Sequence, residues 1–212
     1  EPDFPTPSHV IEEVKIASEN PAYHKYTAVG GLPILRDEIS RTTKKYSNFE
    51  IDPDNVVVTN GGKQAILTTF MSLLDPGDEV LIPSPYWTTY PEAVKISGGE
   101  PVIVNTDFEN DFKVTVEQLE EKFTEKTKVL VWVSPSNPTG VVYSKEEAEE
   151  IYNWAFDKNI WILSDELYEH LVYEGVTSPS PATIDKNLEK TIVVNGVAKA
   201  YSMTGWRVGW IM

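Results

Sequence analysis

Short runs of β-branched and apolar residues alternate along this chain with stretches whose apolar residues recur at helical spacing. Val56 to Thr59 reads as a strand, and Gly61-Gly62 opens a helix carrying Ala65, Ile66, Phe70, Met71 and Leu74. Asp75-Pro76-Gly77-Asp78 closes that helix with turn chemistry. Glu79 to Ile82 predicts the next strand, Tyr90 to Ile96 a helix, and Pro101 to Val104 a strand again. A helix beginning at Val114 to Glu117 leads to the fully apolar Val129 to Val133. Ser144-Lys145-Glu146-Glu147 has capping-box spacing and predicts a helix running to about Asp157. Ile160 to Leu163, Thr191 to Val194 and Val208 to Met212 complete the series as strands. Strands alternating with helices predict an α/β fold, a mainly parallel sheet with helices on both faces. No internal repeat or low-complexity tract interrupts it.

Composition narrows the function classes. Eighteen Lys and Arg against 33 Asp and Glu leave a net charge of −15 across 212 residues, and the acids are scattered. That balance repels a phosphate backbone and argues against nucleic-acid binding. There is no cysteine, which excludes disulfides and thiolate zinc sites. His9, His24 and His170 lie far apart and suggest neither a metal cluster nor a Ser-His-Asp arrangement. No apolar stretch approaches the roughly 20 residues that span a bilayer, and the N-terminus lacks the layout of a secretory signal. The expectation is a soluble, cytoplasmic protein with no membrane partner. Both ends look cut: the chain opens on Glu1-Pro2-Asp3-Phe4 and stops inside a strand-like run. It is therefore expected to be part of a longer polypeptide.

In a parallel sheet, ligands collect outside the carboxyl ends of the strands, and unusual segments follow several of them. Asn60-Gly61-Gly62-Lys63-Gln64 places a glycine pair at a helix N-terminus, where free N–H groups attract an anion; alone it is more often a simple turn. It is not a Walker motif. Ser84-Pro85-Tyr86-Trp87 puts an indole at a strand end, able to stack on a planar group or merely to fill the core. In Ser134 to Gly140 two prolines bracket Asn137 and hold its amide as a fixed donor; a plain turn is the alternative. Asp165, at the end of a buried strand, is expected to face a cation, with Tyr168 on its side of a helical turn; separately they read as a cap and a surface phenol. Lys199 follows the last long apolar run, and Arg207 eight residues on is a candidate phosphate clamp. An amine attacks carbonyls only where its charge is destabilised, and a lysine by itself is usually just solvated.

Ser136-Asn137-Pro138-Thr139-Gly140, Ser164-Asp165-Glu166-x-Tyr168 and Lys199-Ala200-Tyr201-x-Met203-Thr204-Gly205-Trp206-Arg207-x-Gly209 occur in this order along the chain. Together they resemble the class I aminotransferases among the fold-type I pyridoxal-phosphate enzymes. The opening Glu1-Pro2-Asp3-Phe4 and the segment from Lys25-Tyr26-Thr27 to Leu35-Arg36 are also similar to that family, so the resemblance spans essentially the whole chain. It implies pyridoxal 5′-phosphate as cofactor and catalytic roles for Lys199, Asp165 and Tyr168. Lys199 would form the internal aldimine and shuttle a proton, and Asp165 would pair with the pyridinium nitrogen. Asn137 and Tyr168 would bond the phenolic oxygen, and Trp87 would stack on the ring. Gly61, Gly62, Lys63 and Arg207 would cradle the phosphate, joined by Tyr26 of the neighbouring subunit in a homodimer. Trp87, Asn137 and Lys63 would also face the substrate.

The resemblance further divides the chain into an N-terminal segment over 1–20, part of a small domain, and a cofactor-binding large domain over 21–212, truncated at its end. The family's arginine for the substrate α-carboxylate would lie beyond Met212, so the chain alone is expected to be inactive. Two positions depart from the pattern: Gly196 and Ala198 stand where many relatives carry a hydroxyl residue. Lys63 resembles the subgroup of aspartate and prephenate aminotransferases, where this lysine meets a distal carboxylate; solvent or phosphate is the alternative partner. The first expectation is an aspartate-type aminotransferase using 2-oxoglutarate. Aromatic, alanine or kynurenine transamination, carbon–sulfur β-lysis, the effector domain of a transcriptional regulator and a simple phosphate-binding module remain alternatives.

Overall fold

A strand with no polar alternation needs cover on both faces, and the run from Val129 to Val133 has it. The computed structural model describes residues 1–185 and 188–212. Its strands are β1 (Val57–Thr59), β2 (Glu79–Pro83), β3 (Glu100–Val104), β4 (Thr127–Val133), β5 (Trp161–Asp165), β6 (Thr191–Gly196) and β7 (Gly209–Ile211). They form one sheet in the order β1-β7-β6-β5-β4-β2-β3. From β3 to β6 every pairing is parallel, while β7 runs antiparallel to both β6 and β1. The expected mainly parallel sheet is therefore present, with one reversed strand. The helices are α1 (Ser8–Ser18), α2 (Pro33–Tyr46), α3 (Gly62–Leu73), α4 (Thr89–Ile96), α5 (Val116–Lys122) and α6 (Lys145–Asp157).

Side-chain alternation along the strands builds two cores. Val80, Ile82, Val129, Val131, Leu163 and Val194 meet Ile66 and Phe70 of α3 and Tyr90 and Val94 of α4 on one face. Leu81, Leu130, Trp132 and Ile162 point the other way, onto Leu119 of α5 and Ile151 of α6. Val193 shares that second face and packs with Ile39 of α2, Phe49 and Val56. Both expected helix starts carry complete capping boxes, at Thr115 and at Ser144, so α5 begins at Val116 rather than Val114.

Two details differ from the sequence reading. Met71 faces solvent beside the fully buried Phe70, because the buried stripe of α3 runs through Ala65, Ile66, Thr69 and Phe70, and Leu74 lies just past the helix end. α1 and α2 were not anticipated. α1 buries none of its residues and α2 only Ile39 and Thr43, so neither displays a full apolar stripe. Among the described residues no helix is long and apolar enough to cross a membrane.

Adjacent positions on α3 give a direct check. Phe70→Ala should lower unfolding free energy by about 3–5 kcal/mol, and Met71→Ala should change it by no more than about 0.5 kcal/mol. Urea unfolding of both variants measures this, and equal losses would contradict the described helix face.

Candidate active site

The parallel strands deliver their carboxyl ends to one edge of the sheet, and β1 shares their direction because both it and β6 oppose β7. The segments following β1, β2, β4, β5 and β6 therefore meet there. They carry Gly61, Gly62 and Lys63; Trp87; Asn137; Asp165 and Tyr168; and Lys199. Tyr26 is the exception: its side chain is wholly exposed and makes no contact with these residues among the described interactions.

Asp165 closes β5 on the face that carries Leu163, so its carboxylate points towards α4. Tyr90 donates its hydroxyl to Oδ2 at 2.7 Å, and the Leu167 N–H donates to Oδ1 at 3.3 Å. Burial pushes the Asp165 carboxyl above its ordinary range, opposed by these two hydrogen bonds and by the charge of Lys199. Among the described residues no salt bridge reaches Asp165, and its direct protein partners are a phenol and an amide. Neutral donors of this kind satisfy a carboxylate without desolvating a second charge.

Glu166, one residue on, points to the opposite face, accepting from Ser164 at 2.7 Å and from Ser180 at 2.5 Å. Burial, reinforced by the charges of Glu169 and Asp165 and opposed by the two serine hydroxyls, raises its carboxyl to about 8. Glu169 accepts from Asn195 at 2.6 Å and from Ser47 at 2.8 Å, tying this segment to β6 and to the end of α2. Tyr168 sits between the two glutamates in a hydrogen-bonded turn, not on the helical turn that its spacing suggested. The Lys199 Nζ lies 5.5 Å from the centre of the Tyr168 ring.

Glycines set the other side of the site. Gly61 has φ +81°, and a Cβ there would overlap the Arg207 guanidinium. Arg207 donates to the carbonyls of Thr204 (2.9 Å) and Asn60 (3.2 Å), which holds it against the start of α3. A Cβ on Gly209 would come within 2.7 Å of the Gly61 carbonyl carbon, so β7 and α3 touch backbone to backbone. No side chain caps α3, which leaves its first N–H groups free of a side-chain acceptor. Lys63 Nζ stands 5.1 Å from the Trp87 ring, and Trp87 meets Tyr90 edge-on at 5.7 Å. Asn137, between two prolines whose preceding peptide bonds are cis, shares a narrow cleft with Tyr86, Tyr90 and Val133.

Sequence reasoning missed Tyr90, Glu166, Glu169 and Asn195. The signal for Tyr90 was its position three residues after Trp87; nothing in the sequence paired it with an acid 75 residues away. Among the described residues no group of three or more His, Cys, Asp or Glu side chains is placed to hold a metal.

The model of the family "Aminotransferase class I and II" matches residues 1–212. The chain belongs to this aminotransferase family. An aspartate aminotransferase of Streptomyces avermitilis is 54% identical over 213 residues, an alignment covering 100% of this chain and 52% of that relative. Among solved structures, an aromatic aminotransferase from Pyrococcus horikoshii superposes with a TM-score of 0.96 at 40% identity, covering 100% of this chain and 56% of that one. The Thermus thermophilus aspartate aminotransferase with maleate gives 0.93 at 43% identity, covering 100% and 54%. The chain thus spans about half the length of these relatives.

Glu166 makes a pH signature of this aminotransferase-family chain testable. From the ordinary 4.5 up to about 8, the folded chain keeps a proton on Glu166 that the unfolded chain has released. Stability therefore falls as pH rises through that window and levels off above it. Glu166→Gln keeps an acceptor for both serines without titrating, so its stability should fall less between about pH 5 and about pH 8. Urea midpoints at both values decide; parallel slopes for the two proteins would refute it.

Proposed function

We propose that the whole protein is a pyridoxal-phosphate-dependent aminotransferase that takes an aspartate-type amino donor and 2-oxoglutarate. The observation that carries this reading is the buried Asp165 carboxylate, held by the Tyr90 hydroxyl and the Leu167 N–H, on the sheet edge to which Lys199 comes. The residues present fit the cofactor. They offer an acid for a ring nitrogen, an amine for an aldehyde, and a guanidinium beside uncapped N–H groups for a phosphate. Bound there, pyridoxal phosphate supplies an aldehyde that bonds amines and a ring that withdraws electrons from the adjoining carbon.

In this reading Lys199 provides the amine that holds the cofactor, then takes and returns the proton at the substrate α-carbon. Asp165 pairs with the ring nitrogen and keeps it protonated. Asn137 and Tyr168 donate to the phenolic oxygen, and Trp87 covers the ring. Gly61, Gly62, Lys63 and Arg207 hold the phosphate, with Tyr26 supplied by the second subunit of a homodimer, a role compatible with its full exposure here. Residues 1–20 belong with the small domain, a division supported by α1 burying none of its residues.

The substrate class is supported by Lys63, whose amine stands beside Trp87, and by relatives. One is named an aspartate aminotransferase, and another is described with maleate, a dicarboxylate. The aromatic aminotransferase from Pyrococcus, at 40% identity, favours aromatic donors as a second reading.

In the intact protein, added pyridoxal phosphate should give a visible absorption band that Lys199→Ala abolishes. A band that survives this substitution would remove Lys199 from its role. Lys63→Ala should raise KM for aspartate about tenfold more than it raises KM for aromatic donors, the loss of one charge-assisted contact, since any loss of phosphate binding is common to both donors. A donor panel in which aromatic amino acids succeed and aspartate fails would replace the first substrate reading with the second.

A further inference from the structure

Asp165 and Trp87 come from different strand ends, yet one residue touches both. Tyr90 is 1% exposed, donates its hydroxyl to Asp165 Oδ2 at 2.7 Å and presents its ring edge-on to Trp87, at 5.7 Å and 90°. Its N–H also donates to the Trp87 carbonyl at 3.1 Å, so backbone and ring fix the same neighbour. A residue needed only for volume at this core position would be phenylalanine, which fills the space without burying a hydroxyl. We propose that Tyr90 is a positioning residue that joins the Asp165 carboxylate and the Trp87 indole into one unit, setting how strongly the acid draws the proton of the cofactor's ring nitrogen. The inference rests on the pyridoxal-phosphate reading above.

The chemistry suits the role. Burial and the Asp165 charge push the Tyr90 phenol well above 10, so it stays a neutral donor throughout the working pH range. Its hydrogen bond occupies one acceptor site of Oδ2, and Leu167 occupies one of Oδ1, leaving both oxygens further lone pairs. Removing the phenol hydroxyl takes a donor from the charged form of Asp165. The acid then holds a proton more tightly, and a ring nitrogen sharing that proton carries it for a smaller fraction of the time.

The test uses the intact protein loaded with pyridoxal phosphate labelled with 15N in the ring. Tyr90→Phe, its fold checked by circular dichroism, should move the 15N resonance towards the unprotonated pyridine position and raise the cofactor dissociation constant about tenfold. In an Asp165→Asn background Tyr90→Phe should leave the resonance where Asp165→Asn alone puts it. Site-specific 3-fluorotyrosine at 90, a stronger donor of the same shape, should move it in the opposite sense and keeps the question open to measurement if the Phe variant fails to fold. An unmoved resonance in the Phe variant overturns the proposal, as does an equal shift in the Asn background. If the unsubstituted protein binds no labelled cofactor, the underlying reading falls and this proposal with it; if it binds and only the Tyr90 variants are silent, the proposal falls alone.

Discussion

A strand buried on both faces can carry polar side chains only where it leaves the sheet, because an unpaired polar group in its middle has no water and no partner. β4 and β5 lie under that constraint, covered by α3 and α4 on one side and α5 and α6 on the other. Chemistry-bearing residues therefore gather at their carboxyl ends. The same alternation sends two neighbouring acids apart: Asp165 continues the face of Leu163 towards Tyr90, while Glu166 continues the face of Ile162 and meets Ser164 and Ser180. One carboxylate is thereby left towards the site and the other serves the scaffold.

The reversed strand β7 adds what a purely parallel sheet would not. It lies between β1 and β6 and packs Gly209 onto the backbone of Gly61 and Gly62. That approach sets Arg207 against the mouth of α3, with its guanidinium where a Gly61 side chain would stand. A glycine at each of these positions is a requirement of contact between backbones.

Much of this arrangement was legible along the chain. The strand runs, the capping box at Ser144 and the set of strand-end segments follow from periodicity and turn chemistry, which are local properties. The partners of the site residues were not legible. The hydroxyl that Asp165 accepts comes from Tyr90, 75 residues away, and Tyr168 is held by a turn whose flanking Glu169 is tied to Ser47 and Asn195. α1 and α2 escaped notice because they bury too little to show a periodic stripe, and Met71 was placed inward because a helical repeat of apolar residues does not say which edge of the stripe is covered.

By itself, the sequence determined the alternation of elements, the mainly parallel character of the sheet and the residue types present at its strand ends. Those depend on interactions within a few residues, where chain geometry allows few choices. The tertiary structure decided which of those residues meet, which face each carboxylate takes and which neutral donors hold the buried acid. Such pairings join positions as distant as Tyr90 and Asp165 or Gly61 and Arg207, and only strand order and helix packing bring them within hydrogen-bonding or van der Waals reach.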